Sequence, residues 1–175
     1  MKKFLSLVAL AGLFATQVNA QKPAEDKSKR PSPLATVSQK IASGATVTID
    51  YSQPSIKGRT IGKDVEPMEG KVWRTGANEA TVFQADKDVM INGNKLPAGK
   101  YGLFTVFNGK QATVVFNKTW NQWGAFKYKL EDDQLRVNTK VTNENTSTEK
   151  MTFKISPSGD VTLLWGNKEV SFDVK

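Results

Sequence analysis

The residues best suited to chemistry lie in one run, Val72–Thr81, which reads VWRTGANEAT. Arg74 suits bidentate binding of a carboxylate or phosphate, and Glu79 can act as a base or hydrogen-bond acceptor. Asn78 can orient a substrate group, and Trp73 adds a large apolar surface. One interpretation of the run is a polar binding pocket. The other is a structural hairpin, in which Arg74 and Glu79 pair and Asn78 caps the turn.

A second polar cluster precedes this run. Asp50 alternates with an apolar strand face that carries Tyr51, so its carboxylate points the other way, toward Arg59, Arg74 or a lysine. We therefore predict one ligand-binding site that combines the two clusters. Its members are Asp50, Tyr51, Arg59, Trp73, Arg74, Asn78 and Glu79.

A third candidate site combines aromatic rings with side-chain amides. Trp120 and Trp123 flank Asn121 and Gln122, and Asn117 lies just upstream. A ring that stacks on a sugar, beside amides that bond its hydroxyls, is typical of a carbohydrate site. The alternative is that the two tryptophans cover the hydrophobic core, as large aromatic side chains mostly do.

The absence of two residue types excludes several classes of chemistry. The chain has no cysteine and no histidine, which rules out disulfides, thiol nucleophiles, Ser-His triads and His-ligated metals. We expect no metal site and no cofactor. If a reaction is catalysed, carboxylates such as Asp50 and Glu79, lysines or tyrosines must supply the acid and base.

The N-terminus predicts export. Residues 1–20 combine Lys2 and Lys3, an apolar stretch and a small-residue cleavage site, which is typical of a signal peptide. Residues 21–33 are charged and proline-rich and predict a flexible leader, so the folded domain is 34–175. We expect a periplasmic or extracellular location, with no membrane span after cleavage.

The charge of the chain points to no nucleic-acid partner. The formal net charge is +8, and removal of Lys2 and Lys3 would leave +6. Basic residues are spread along the chain among acidic ones, without the Lys/Arg block that marks a nucleic-acid site. We expect the partner to be a small polar ligand or a component of the cell envelope.

The pattern after residue 34 is that of an all-β protein. Short runs of alternating hydrophobicity recur at regular spacing, with turn signals between them such as Asn92-Gly93 and Asn108-Gly109. This predicts a single antiparallel β-sandwich, jelly-roll-like or barrel-like, of roughly ten strands. Residues 125–130 are included as a strand, residues 143–149 are predicted to form a turn, and residues 54–70 form the longest irregular stretch, as a packed lid or a crossover.

Several segments together resemble a bacterial exported family, the domain-of-unknown-function family numbered 2911. The run VWRTGANEAT carries the resemblance most specifically, and it extends from about Ser32 to the C-terminus. Other segments that share it are SPLATVSQ (32–39), VTIDYSQP (47–54), KGR (57–59), LPAGKY (96–101) and Phe116-Asn117. The resemblance implies secretion and a compact β domain, and it transfers no catalytic residue.

Three functions remain open from the sequence. The first is an exported β domain that binds a small polar ligand or an envelope component through the Asp50–Glu79 cluster. The second is a carboxylate-dependent hydrolase, directed at glycans, with Glu79 and Asp50 as its acid/base pair. The third is a structural module of the envelope, which docks another protein and has no pocket.

Overall fold

The computed structural model describes residues 26–175, and the predicted signal peptide and residues 21–25 of the leader lie outside this range. The described chain is almost entirely antiparallel β-structure. Its strands are β1 (Leu34–Lys40), β2 (Thr46–Ser52), β3 (Val72–Trp73), β4 (Ala77–Ala85), β5 (Val89–Ile91), β6 (Asn94–Leu96), β7 (Gly99–Asn108), β8 (Gln111–Asn117), β9 (Asp133–Ile155) and β10 (Asp160–Asp173). Two short 3₁₀ helices, Lys27–Lys29 and Leu130–Asp132, complete the elements.

The main sheet curls into a half-barrel. Its strands follow the order β1-β2-β4-β7-β8-β9-β10, with β3 also paired to β7. β5 and β6 form a separate two-stranded hairpin. The predicted fold class, an all-β antiparallel sandwich or barrel-like domain, is confirmed. No helical segment among residues 26–175 has the length and apolar character needed to cross a membrane.

The core lies on the concave side of the curl, where alternate strand residues point inward. In β2 the predicted inward residues Val47, Ile49 and Tyr51 are all buried. Phe116 packs edge-to-face on Phe83, with ring centroids 5.0 Å apart. Because burying one large apolar side chain stabilises the fold by roughly 1.5–3 kcal/mol, this alternation accounts for the sheet without any disulfide.

Two hairpin predictions are confirmed by the backbone. Asn92 and Gly93 both have positive φ, at 45° and 78°, and they connect β5 to β6. Gly109, with φ of 61°, lies in the turn between β7 and β8. The first pair therefore has the conformation that Asn-Gly predicts at both of its residues, whereas at the second pair only Gly109 has positive φ and Asn108 ends β7.

Two local predictions are wrong. Residues 125–130 form turns rather than a strand, because Gly124 (φ 62°) redirects the chain and no neighbouring strand pairs with this segment. Phe126 and Leu130, which alternate with Lys127 and Lys129, are exposed. Residues 143–149 are not a turn but part of β9, which pairs with β8 through its first third and with β10 through its later part.

The irregular stretch 54–70 is a packed loop that joins two sides of the curl. Its start bonds to β9, where Met151 N donates to Pro54 O at 3.0 Å and Ile56 N donates to Glu149 O at 3.0 Å. Of its apolar residues, Ile56, Ile61 and Val65 pack against the core. The loop also lines the recess beside Arg74.

Candidate functional site

The run 72–81 is an excursion within a strand, and the predicted hairpin is wrong. β3 and β4 both pair antiparallel with β7, Trp73 opposite Thr105 and Thr81 opposite Leu103. The two strands therefore run in the same direction, one after the other. Residues 74–80 leave the β7 ladder between these two pairs, with 77–80 already belonging to β4, and Thr81 N closes the excursion by donating to Arg74 O at 3.2 Å.

Buried hydrogen bonds hold this excursion in shape. The indole Nε1 of Trp73 donates to Gly76 O at 3.0 Å. Thr81 Oγ1 donates to Thr75 O at 2.8 Å, and the hydroxyls of Thr75 and Thr105 lie 3.1 Å apart. Gly76 is required sterically, since a Cβ there would lie 2.9 Å from Thr81 Oγ1. The residue types of the run are therefore needed, first of all, to hold the conformation of its backbone.

Arg74 begins the excursion and lines a cavity of about 370 Å³. Its Nε atom is buried and has no hydrogen-bond partner, and no ion pair or side-chain hydrogen bond of Arg74 occurs within residues 26–175. Burial lowers the pKa of Arg74, and the nearby Glu66 carboxylate partly offsets that effect. An arginine always stays charged in a protein, so this half-buried cation lacks a matched anion.

The cavity beside Arg74 is lined by both charged and aromatic side chains. Its lining comprises Ser32, Pro54, Arg59, Asp64, Val65, Glu66, Met68, Trp73, Arg74, Gly76, Ala77 and Trp165. The side chain of Arg59 is fixed by the loop itself, with Nε donating to Ile56 O and Nη2 to Ser55 O. Glu66 is held in the same way, since its Oε2 accepts from Met68 N at 2.7 Å. The walls are therefore preorganised by backbone contacts.

A second cavity, of about 270 Å³, is lined by other members of the predicted site. Asp50, Tyr51 and Glu79 line it, together with Trp120 and Gln122 from the third candidate. Arg59, Trp73 and Arg74 line the 370 Å³ cavity and not this one. The single site predicted from sequence is thus divided between two cavities, with the 74–80 excursion contributing residues to both.

The expected pairing of Arg74 with Glu79 is wrong. Glu79 Oε2 accepts from Arg30 Nη1 at 2.7 Å, and Glu79 Oε1 lies 3.0 Å from Lys27 Nζ. Desolvation raises the pKa of Glu79, but the bonds from Arg30 and Lys27 outweigh it and lower the pKa to about 2. A carboxyl that remains ionised at neutral pH cannot protonate a leaving group, so Glu79 is unsuited to general-acid catalysis.

The other polar members of the first site have structural partners. Asp50 accepts a 2.6 Å bond from Thr36 on the edge strand β1. The hydroxyl of buried Tyr51 accepts from Phe153 N at 3.2 Å. Asn78 has a positive φ of 56°, and its Nδ2 donates to Ser32 O at 3.0 Å. The Asn78 bond ties the excursion to the first residues described, while the other two bonds join β2 to β1 and to β9.

The two amides of the third candidate are used inside the protein. Asn117 donates to Lys129 O and to Asp133 Oδ1, and accepts from Thr119 N. Gln122 donates to Thr119 O and accepts from Lys127 N. They therefore shape the 118–130 loop. Its two tryptophans are not core residues, since Trp120 is 37% and Trp123 is 55% exposed.

Several residues of these cavities were absent from the sequence-based site. Lys27, Arg30 and Ser32 belong to the segment predicted as leader, and no local pattern linked them to Glu79 or Asn78, which are far away in the sequence. Glu66 and Trp165 come together only because Trp165 Nε1 donates to Glu66 O at 2.8 Å. Within residues 26–175, no group of three or more Asp or Glu side chains is arranged to hold a metal ion.

Comparison with known proteins assigns the chain to a family whose function is not known. Residues 32–174 match the model of the family described as "Protein of unknown function (DUF2911)". No curated protein matches the chain. No solved structure matches it. Because the match covers the whole strand-bearing region, the chain belongs to the DUF2911 family.

Proposed function

We propose that this protein is an exported binding domain that takes up a small polar ligand with an anionic group. The ligand enters the 370 Å³ cavity beside the 54–70 loop. Its carboxylate or phosphate pairs with the guanidinium of Arg74. The export of the domain is part of this proposal and rests on the signal-like residues 1–20.

One observation carries the proposal, namely the buried and unpartnered Nε of Arg74 at the cavity wall. A desolvated guanidinium without an anion destabilises a fold, because its lost hydration is not replaced. Proteins retain such groups mainly where they serve a site, and arginine matches the planar geometry of carboxylate and phosphate. Glu66 influences Arg74 electrostatically without forming an ion pair with it.

The cavity also has the dimensions and composition of a ligand site. Its volume falls within the range of about 300–1,000 Å³ that is typical of small-molecule pockets. Trp73 and Trp165 supply apolar surface, while Asp64 and Glu66 supply carboxylates that can accept bonds from ligand hydroxyl or amine groups. A ligand that carries one anionic group and several hydroxyls fits this lining.

Calorimetric titration with a matched pair of probes tests the proposal. Glucuronate and glucose differ at one carbon, where only the first has a carboxylate, and inorganic phosphate serves as the second anion. We expect heat of binding with at least one anion and none with glucose. Arg74→Met should abolish that heat without unfolding the domain.

Lys71→Met, an exposed cation near the run but outside the cavity lining, is the matched control and should leave binding unchanged. Equal binding of glucose and glucuronate would contradict the anion requirement. Anion binding that persists in Arg74→Met would place the ligand elsewhere. Either result overturns the proposal.

A further inference from the structure

Large apolar side chains are displayed outward by the segment 118–130, here called the aromatic loop. Phe126 is 87% exposed, Leu130 65% and Trp123 55%, and Trp120 lies beside them in the sequence. Soluble proteins rarely display several large apolar groups together without a partner surface. The exposure is concentrated in one segment, since Leu34 and Met90 are the other large apolar residues exposed in the described chain.

The exposure is built into the loop and does not come from poor packing. Gln122 joins its two halves, and Asn117 bonds both of its ends. Tyr128 packs on buried Phe104, with ring centroids 5.1 Å apart, and its hydroxyl donates to Asp133 at 2.7 Å. The loop thus uses the amide of Gln122 internally while Trp123, Phe126 and Leu130 face outward.

The aromatic loop is also basic. Residues 118–130 contain Lys118, Lys127 and Lys129, all exposed, and no acidic residue. Two further cations lie against its rings, with Lys100 Nζ 5.3 Å from the Trp120 ring and the Arg30 guanidinium 5.7 Å from the Trp123 ring. Three acidic residues follow directly: Glu131 pairs with Lys129 at 4.0 Å, and Asp132 and Asp133 accept hydrogen bonds from Thr119 and Tyr128. Lys118 and Lys127 form no ion pair within residues 26–175, so the exposed face of the loop keeps positive charge that is complementary to an anionic surface.

We propose that the aromatic loop docks the protein on the surface of an anionic lipid bilayer. Trp and Phe rings favour the boundary between headgroups and acyl chains, and exposed lysines contact anionic headgroups from the same face. Phe126 and Leu130 enter the acyl boundary, while Lys127 and Lys129 stay at the headgroups. This binding is peripheral and independent of the ligand cavity beside Arg74.

The same surface fits a glycan less well. The amides of Asn117 and Gln122, which would bond sugar hydroxyls, are already engaged with the loop itself. Leu130 offers nothing to a sugar, and one ring face each of Trp120 and Trp123 carries a cation. An acyl boundary, in contrast, uses every exposed apolar group of the loop.

Vesicle co-sedimentation tests the proposal. The protein is purified from cells and its N-terminus is defined by mass spectrometry, because residues 4–15 are apolar enough to bind lipid themselves. It is mixed with vesicles of equal parts phosphatidylglycerol and phosphatidylcholine, or of phosphatidylcholine alone. We expect binding to the anionic vesicles that weakens in high salt.

Substitutions in the loop separate the apolar contribution to membrane binding from the electrostatic one. Phe126→Ser and Trp123→Ser should each weaken binding about tenfold, in line with the transfer of one large ring into an apolar phase. Lys127→Glu should weaken it on anionic vesicles only. Met90→Ser, which removes an exposed apolar group of β5, is the matched control and should not change binding. All these positions are exposed, and circular dichroism verifies that each variant folds.

Three outcomes would overturn the proposal. One is equal binding of the wild type and Phe126→Ser to anionic vesicles. Another is retention of the protein by insoluble glycan but not by vesicles, which would assign the surface to sugar. The third is a Trp123-dependent dimer in analytical ultracentrifugation with no vesicle binding, which would assign it to a second copy of the chain.

Discussion

Glu79 is bonded to Arg30, which precedes it by 49 residues, at 2.7 Å, and it forms no ion pair with Arg74 within residues 26–175. This relationship has two consequences. Residues 26–33, which belong to the segment predicted as a leader, are attached to the most specific run of the chain. Arg74 in turn forms no ion pair within residues 26–175, although Glu66 acts on it electrostatically, and this is the basis of its proposed role in binding.

The Glu79 contact predicts a pH dependence of stability. The folded-state pKa is about 2, below the ordinary value of 4.5, so the ionised carboxylate stabilises the fold above pH 4.5. That contribution is lost as the pH falls toward 2. Glu79→Gln should lower the free energy of unfolding by about 1–2 kcal/mol at pH 7, allowing for its partial exposure. Urea unfolding at pH 7 and at pH 2.5 measures the difference, which should shrink at the lower pH.

Glu131→Gln is the control for this titration. Glu131 is 72% exposed and its pair with Lys129 spans 4.0 Å, so its removal should change stability by less than about 0.5 kcal/mol. A Glu79→Gln variant as stable as the wild type at pH 7 would show that Arg30 and Lys27 do not hold the N-terminal segment.

Asn78 should matter through both its backbone and its amide. Asn78→Gly loses the bond to Ser32 O but adopts the left-handed conformation at low cost. Asn78→Ala loses the same bond and also disfavours the left-handed conformation. We expect the Gly variant to be more stable than the Ala variant by about 0.5–1 kcal/mol. Thermal unfolding of the two proteins measures this order.

Asn138 is the matched position for that comparison. It lies in the extended strand β9, where Gly is less favourable than Ala, so the order of its two variants should be reversed. The same order at both positions would mean that the conformation of residue 78 does not contribute to stability.

Tyr128 should anchor the aromatic loop. Its hydroxyl donates to Asp133 at 2.7 Å and accepts from Arg136 at 2.9 Å. Tyr128→Phe removes both bonds and should cost about 1–2 kcal/mol, with faster amide hydrogen exchange across 118–130. Tyr101→Phe, which removes the bond to Pro97 O, should leave exchange in this loop unchanged. Unchanged exchange in Tyr128→Phe would contradict the anchoring role.

The strands were predictable from sequence where local chemistry determines them. The alternation of Val47, Ile49 and Tyr51, and the Asn-Gly turns, act over a few residues and predict β2 and two hairpins correctly. Residues 125–130 alternate equally well, yet no strand lies beside them to pair with. Pairing depends on distant segments, and alternation alone does not contain that information.

The sequence singled out residues that lie at cavities, but not how these residues are arranged. Arg74 and Trp73 line one cavity, and their role in binding stays a prediction. Arg74 and Glu79 line different cavities because β3 and β4 both pair with β7, which places the 74–80 excursion between the two cavities. Arg30 lies 49 residues from Glu79 in the sequence, and only folding brings the two side chains together.

The most direct test of the account is the stability of the ligand-free Arg74→Met protein. Met conserves much of the side-chain volume and removes the unpartnered charge, and the test does not depend on knowing the ligand. We predict that urea unfolding gives a free energy equal to the wild-type value or higher by about 1 kcal/mol, as for a group kept for binding at a cost in stability. A loss of more than about 2 kcal/mol would show that Arg74 stabilises the fold, and would contradict its role as a ligand anchor.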